Sequence, residues 1–274
     1  MRRRRIRPVL AVCAGLGLAV TTAGAAGAST CPDPNAGPPY SFTTELVGQF
    51  GTPIPLKNMA LLSKTTHGYR YRAGQQNSHL TITEANGRIR FADTGTAKWK
   101  QAVPSSCRQL KASTGIAASC PVPTTVTDTQ PLLVEVWPRL GNDYVDGSTL
   151  PSTVSLTVLG DGGNDTALLG AGRDFFNGYT GTDTVSGGDG NDWIRSGPDA
   201  DVVHGGGGDD YIVGQDGPDV ITGDDGNDHV YGSGGNDTLS GGTGQDVVSC
   251  GDGTDSALVD AQDKANHCET VTLQ

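Results

Sequence analysis

The 274 residues include 41 glycines, few aromatics and a formal net charge of −11 at pH 7, a composition of turns more than of a large helical core. The charge is lopsided: residues 160–258 hold 19 aspartates, no glutamate, two arginines and no lysine, whereas residues 31–159 are net +3. Phosphate would be repelled by so acidic a block, which excludes nucleic acid as a partner and makes cations the natural one.

The chain opens on arginines at positions 2–5 and 7, followed by an apolar run from position 8 to about 20 and by Ala26-Gly27-Ala28. This is the pattern of a secretory signal over residues 1–28, cut before Ser29, with Ala23-Gly24-Ala25 as a competing cut. The run is too short, and too diluted by Gly and Thr, to anchor the chain, so no membrane span is expected after cleavage. A secreted, extracellular chain can form disulfides. Cys107–Cys120 and Cys250–Cys268 are the expected local pairs, which leaves Cys31 unpaired or paired between chains. The cysteines form no C-x-x-C motif, which argues against a metal role for them.

Residues 29–60 start as a Pro-, Gly- and Asn-rich stretch and read as a linker or extended arm. Tyr69-Arg70-Tyr71-Arg72, His79-Leu80-Thr81-Ile82-Thr83 and Arg88-Ile89-Arg90-Phe91 then alternate with period two, as half-buried strands do. Asn86-Gly87 between the last two is a hairpin turn. Residues 61–131 therefore read as a small β-rich domain or cap. Leu132-Leu133-Val134-Glu135-Val136-Trp137 is a stronger strand. Leu140-Gly141-Asn142-Asp143-Tyr144-Val145-Asp146 resembles the units that follow it. Asp143 stands ahead of Asp165 by two units plus a four-residue insertion, placed in 147–153. A solenoid over 132–258 is expected, starting near Leu132.

From Gly160 an aspartate recurs every nine residues without a miss: Asp165, Asp174, Asp183, Asp192, Asp201, Asp210, Asp219, Asp228, Asp237, Asp246 and Asp255. Glycine stands two positions before each, except before Asp201, where Asp199 takes its place. A hydrophobic or small residue stands two after. A fixed short period signals a solenoid. With glycine supplying positive φ in the turns, two units make one full coil, and strands stack about 4.8 Å apart. The aspartates then fall into two edge rows, alternate units in each. At ~4.8 Å two carboxylates repel by about 0.9 kcal/mol even at the dielectric of water, so divalent cations between the turns would reverse the sign. A plain solvated acidic surface mixes Asp with Glu and holds no phase.

Gly187-Gly188-Asp189-Gly190-Asn191-Asp192-Trp193-Ile194-Arg195 and Gly241-Gly242-Thr243-Gly244-Gln245-Asp246-Val247-Val248-Ser249 fit G-G-x-G-x-D-x-U-x, U being a large apolar residue. In this the chain resembles the RTX, or hemolysin-type, calcium-binding repeat family. The resemblance implies an all-β fold, a right-handed parallel β-roll, with Ca2+ held by the eleven aspartates between turns one full coil apart. Five intervals in one row and four in the other would give up to about nine ions. Calcium suits the setting because it takes six to eight oxygens, carbonyls included, in loose geometry. The weakest site is expected at Ser196-Gly197-Pro198-Asp199-Ala200-Asp201, where Asp199 stands in for the turn glycine; aspartate tolerates left-handed φ better than most residues.

The residue after each aspartate should face outward. One sheet would carry Phe175, Trp193, Tyr211, His229 and Val247, and the other Thr166, Thr184, Val202, Val220, Thr238 and Ser256. The aromatic line reads either as a cross-strand ladder that stabilises the sheet, as a patch that docks a cap, or as a platform for a cell-surface glycan or protein. Residues 259–274, with Cys268, read as a C-terminal cap on the last coil. The chain has five histidines but no H-E-x-x-H and no G-x-S-x-G. It therefore reads as a structural or interaction module and not an enzyme. The alternative is a secreted calcium-dependent hydrolase whose site lies in the N-terminal domain.

Overall fold

The computed structural model describes residues 58–74 and 77–274. The expected signal sequence, most of the expected arm and Cys31 lie outside the described residues. Every regular element among the described residues is a strand, and no helix there is long and apolar enough to cross a membrane.

The N-terminal strands are β1 (Met59–Lys64), β2 (Gly68–Arg72), β3 (His79–Ala85), β4 (Arg88–Asp93), β5 (Lys98–Trp99), β6 (Arg108–Leu110) and β7 (Ile116–Pro121). Asn86 and Gly87 have φ of 54° and 66° and join β3 to β4 as the hairpin expected from their sequence. The coils that follow alternate between two sheets. One takes β8 (Leu132–Trp137), β10 (Val154–Gly162), β12 (Phe175–Thr180), β14 (Trp193–Arg195), β16 (Tyr211–Asp216), β18 (His229–Gly235), β20 (Val247–Gly253) and β22 (Lys264–Asn266). The other takes β9 (Tyr144–Asp146), β11 (Thr166–Leu168), β13 (Thr184–Asp189), β15 (Val202–Gly207), β17 (Val220–Asp225), β19 (Thr238–Thr243), β21 (Ser256–Val259) and β23 (Thr270–Leu273).

Within each sheet these strands pair in parallel. In the regular block each residue pairs with its counterpart two units on, as in Val202↔Val220 and Trp193↔Tyr211. The earlier pairs Thr166↔Tyr144 and Val154↔Leu132 are set further apart. Their extra residues sit between β9 and β10, inside the 147–153 stretch where the sequence placed them. The result is the parallel β-solenoid of nine-residue units that the period implies.

Two features differ from the sequence reading. Stacking begins at Gly68 and not near Leu132: β2 pairs in parallel with β8 (Tyr69↔Val134) and β3 with β9 (His79↔Tyr144). Tyr69, Tyr71, Leu80 and Ile82 are buried and extend the interior column of the roll. The remaining N-terminal strands lengthen both sheets: β4, β7 and β6 add antiparallel beyond β3, and β1 and β5 add beyond β2. Many strands also run longer than the three-residue core of a unit. In β15 the pairing with β17 covers Val202 to His204, skips Gly205, and resumes at Gly206 and Gly207.

The core is one continuous column. Val145, Ala167, Val185, Val203, Ile221, Leu239 and Ala257 line it from one sheet, and Val158, Phe176, Ile194, Ile212, Val230 and Val248 from the other, each at most 3 % exposed. In the repeats these are the apolar residues two positions after each aspartate, and stacking is what removes them from water. Both expected disulfides form. Cys107–Cys120 ties the strands of the N-terminal extension, and Cys250–Cys268 pins the closing coil of β22 and β23.

Candidate metal centre

Ten of the eleven repeat turns, all but that of Asp174, are shaped by two left-handed residues. Two positions before the aspartate the glycine φ values run from 105° at Gly190 to 155° at Gly253. Asp199 takes that position with φ 91° and accepts the Gly181 N–H on its own carboxylate, so the turn survives the loss of glycine. Four positions before the aspartate φ is again positive, and there Asp161, Tyr179, Gln215, Asp224 and Ser233 adopt it as well as glycines 188, 197, 206, 242 and 251.

The turns aim the eleven aspartates inward. None of them is more than 4 % exposed. Their Oδ1 atoms form a ladder along each edge: the backbone N–H of Asp165 donates to Asp183, that of Asp183 to Asp201, and so on to Asp255, at 2.7–2.9 Å. The second row repeats this from Asp174 through Asp192, Asp210 and Asp228 to Asp246. Each carboxylate thus closes one orphan amide of the preceding coil.

The other oxygen has no such role. In ten of the eleven, all but Asp174, Oδ2 is buried and has no hydrogen-bond partner. Glycine five positions before the aspartate makes room for it in eight units. A Cβ on Gly160 would sit 2.5 Å from Asp165 Oδ2 and 2.6 Å from the Gly178 carbonyl oxygen of the next coil; one on Gly205 would sit 2.5 Å from both Asp210 Oδ2 and the Gly223 oxygen. The glycine is therefore a cradle wall, where a carboxylate and a carbonyl of the adjacent coil converge.

Burial dominates the electrostatics. It raises the carboxyl of Asp165 to about 8, of Asp219 to about 8, of Asp183 and Asp210 to about 7 and of Asp201 and Asp228 to about 6, against the lowering effect of the ladder amides; neighbouring aspartates raise them further. Asp192 is raised by burial and by the charge of Asp174. An unpartnered buried acceptor costs about 1–3 kcal/mol, and more when charged. Ten of them would outweigh a typical folding free energy of about 5–15 kcal/mol. The arrangement therefore demands protons or cations. Fewer than three carboxylate, His or Cys side chains converge at any one point among the described residues. A cation in these turns must then draw on carbonyl oxygens, which fits calcium and does not fit zinc.

Asp174 is the exception. Leu169 fills the place of the cradle glycine and is buried in the core. The Asp174 Oδ2 instead accepts the Gly170 N–H at 2.7 Å, and its Oδ1 accepts that of Leu156. The departure from the row therefore falls here, whereas Asp201 keeps an open Oδ2 like its neighbours.

A second ladder escaped the sequence reading. The residue just before the aspartate accepts the amide of its counterpart one coil later: Asn164 from Thr182, Asn191 from Asp209, Asp209 from Asn227, Asn227 from Gln245 and Asn236 from Thr254. The recurrent Asn-Asp pair was its signal. The rows also run on past the repeats, to Asp143 at one end and to Asp263 and Glu269 at the other.

On the outer face of the sheet holding β12, β14, β16 and β18, Phe175, Trp193, Tyr211 and His229 form a line with centroid separations of 5.4, 6.1 and 6.2 Å, the first two contacts edge-to-face and the last stacked. Phe175 is buried, Trp193 and Tyr211 are half-buried and His229 is exposed. Of the other histidines, His79 stacks on Tyr144 and His204 faces Asp224 at 3.4 Å.

A family model described as RTX calcium-binding nonapeptide repeat (4 copies) matches residues 159–194, 177–212, 186–221, 213–248 and 222–257. No curated protein and no solved structure matches the chain.

Proposed function

Since the chain is an RTX-type repeat protein wound into a parallel β-solenoid, we propose that it is a secreted structural module whose roll folds around calcium outside the cell. The observation that carries this reading is the row of buried, unpartnered Oδ2 atoms facing carbonyl oxygens of the next coil. The ligands are Asp165, Asp183, Asp201, Asp219, Asp237 and Asp255 along one edge, and Asp192, Asp210, Asp228 and Asp246 along the other. Asp174 belongs to the second row with its carboxylate already satisfied. That gives eight intervals with both carboxylates open, and a ninth, between Asp174 and Asp192, with one.

Bound calcium supplies the positive charge that lets the rows ionise inside a low-dielectric edge. The chain does the rest. The left-handed turns present carbonyls, the cradle glycines keep the space clear, and Oδ1 holds each carboxylate in place through the ladder. Residues 61–131 act as the N-terminal cap and residues 259–274 as the C-terminal one. Extracellular calcium modules often bind at about 10⁻⁴–10⁻³ M, so the roll would fold after export. The test is circular dichroism of the protein during calcium titration. A gain of β signal is expected, and a protein equally folded in chelator at neutral pH would sink the reading.

The fold and the missing catalytic motifs support a non-enzymatic role, with the Phe175/Trp193/Tyr211 line as the surface that meets a cell-surface glycan or protein. Trp193 and Tyr211 supply its half-buried rings, and Phe175 its floor. Replacing Trp193 and Tyr211 by Ser should abolish surface binding while the calcium response persists; binding that survives would reject this face.

A further inference from the structure

We infer that the ion-holding row begins one coil before the nonapeptides, with a calcium site between the Asp143 and Asp165 turns that clamps the first coil to the roll. The inference rests on the calcium reading above and extends it to a turn that neither the nine-residue phase nor the family match reaches.

The Asp143 turn copies the repeat turns closely. Arg139 and Gly141, four and two positions before Asp143, have φ of 77° and 131°. The Gly141 carbonyl packs against Gly163 as the Gly163 carbonyl packs against Gly181. Asn142 accepts the Asn164 amide at 3.1 Å, which extends the outer ladder. The Asp143 amide donates to Asp165 Oδ1 at 2.8 Å, and Asp143 Oδ1 accepts the amide of Ser78 in the first coil. Asp143 is 3 % exposed, and its Oδ2 is buried with no partner, as is that of Asp165. One feature departs: Pro138 stands where the repeats place the cradle glycine.

The opposite end of the rows is built otherwise. Asp263 accepts the Asp246 amide on Oδ1 and the Asp260 amide on Oδ2, so both oxygens are satisfied. Glu269 accepts the Asp255 amide from a more exposed position. Beyond the repeats, therefore, neither C-terminal carboxylate keeps a buried oxygen open, whereas Asp143 at the N-terminal end does. The Ser78 amide hangs on that carboxylate, and β3, which follows it, carries the antiparallel strands of the extension. Calcium at Asp143 would therefore secure the non-repeat strands as well as the roll.

The experiment compares the secreted full chain with Asp143→Asn and with Asp128→Asn, an exposed charge-matched control. Bound calcium is counted by equilibrium dialysis, and amide exchange is followed at Ser78 and Asp143 with and without calcium. Asp143→Asn should bind one ion fewer than wild type and Asp128→Asn the same number. In wild type, calcium at 100 times its dissociation constant should slow the Ser78 amide about 100-fold, and Asp143→Asn should lose this slowing while coils beyond Asp183 keep theirs. An unchanged ion count in a folded Asp143→Asn overturns the inference. If that variant does not fold, wild-type exchange decides: a Ser78 amide indifferent to calcium overturns it, and a slowed one supports it. In either overturning case calcium still binding the repeats leaves the broader reading standing; a wild-type chain that binds no calcium defeats both.

Discussion

Replacing Gly205 by alanine probes the cradle directly, because its neighbour two positions on provides a control in the same strand. A Cβ at Gly205 would lie 2.5 Å from Asp210 Oδ2, 2.5 Å from the Gly223 oxygen and 3.1 Å from Ile212 Cδ1, whereas a Cβ at Gly207 meets only Asp189 Oδ1 at 3.4 Å. The first clash involves backbone and a laddered carboxylate, and neither can swing away freely. Overpacking of this kind costs about 1–3 kcal/mol. Both substitutions share the gain of about 0.4–1 kcal/mol from a stiffer unfolded chain, so their difference isolates the clash. Urea unfolding in saturating calcium should therefore place Gly205→Ala about 1–3 kcal/mol below Gly207→Ala, which itself should stay near wild type. The Cβ would also crowd the space between the Asp210 Oδ2 and the Gly223 oxygen, so bound calcium should fall. Equal stability and equal calcium content in the two variants would refute the cradle.

Burial raises the folded-state carboxyls to about 6–8, above an unfolded value near 4, so their stabilising contribution is full below about pH 4 and is lost as pH rises through that window. Ion-stripped protein should accordingly be more β-structured at pH 5 than at pH 8 by circular dichroism, whereas calcium, whose binding releases protons, should bind more tightly at pH 8 than at pH 5. Tyr179 holds φ 79° at an exposed site; Tyr179→Gly should raise stability by about 1 kcal/mol through relief of left-handed strain, measurable as a shifted urea midpoint. Removing Cys250–Cys268 with a double Ser variant should lower stability by about 2–4 kcal/mol, with exchange rising first in β22 and β23; unchanged protection there would show that the closing coil holds itself.

The phase of the aspartates made the rows, the coil length, the buried column and the aromatic line legible, because each follows from a period that the chain repeats eleven times. The hairpin at Asn86-Gly87 and the two disulfides were readable from local chemistry. The first coil was not, because β2 and β3 share no repeat residue with β8 and β9. Alternation in Tyr69–Tyr71 and Leu80–Ile82 identifies strands but not a parallel partner on the far side of the whole N-terminal extension. The second left-handed position hid behind Tyr179, Gln215, Asp224 and Ser233, which break the glycine pattern without breaking the turn. The satisfied carboxylate of Asp174 goes with a turn that has neither left-handed residue, although glycines 170 and 172 hold the same places as in other units, so the period gives no sign of it.

The alternation of units between two sheets also sets a parity on the length of the protein. Insertion or loss of a pair of units slides the downstream coils along the axis by one strand spacing and leaves each side chain on its own side. A change of a single unit would send every later unit to the opposite sheet, splitting the Phe175–Trp193–Tyr211 line across two faces and turning the closing coil half a circuit against the first. The roll can thus lengthen or shorten like a stack of rings, but only in whole rings.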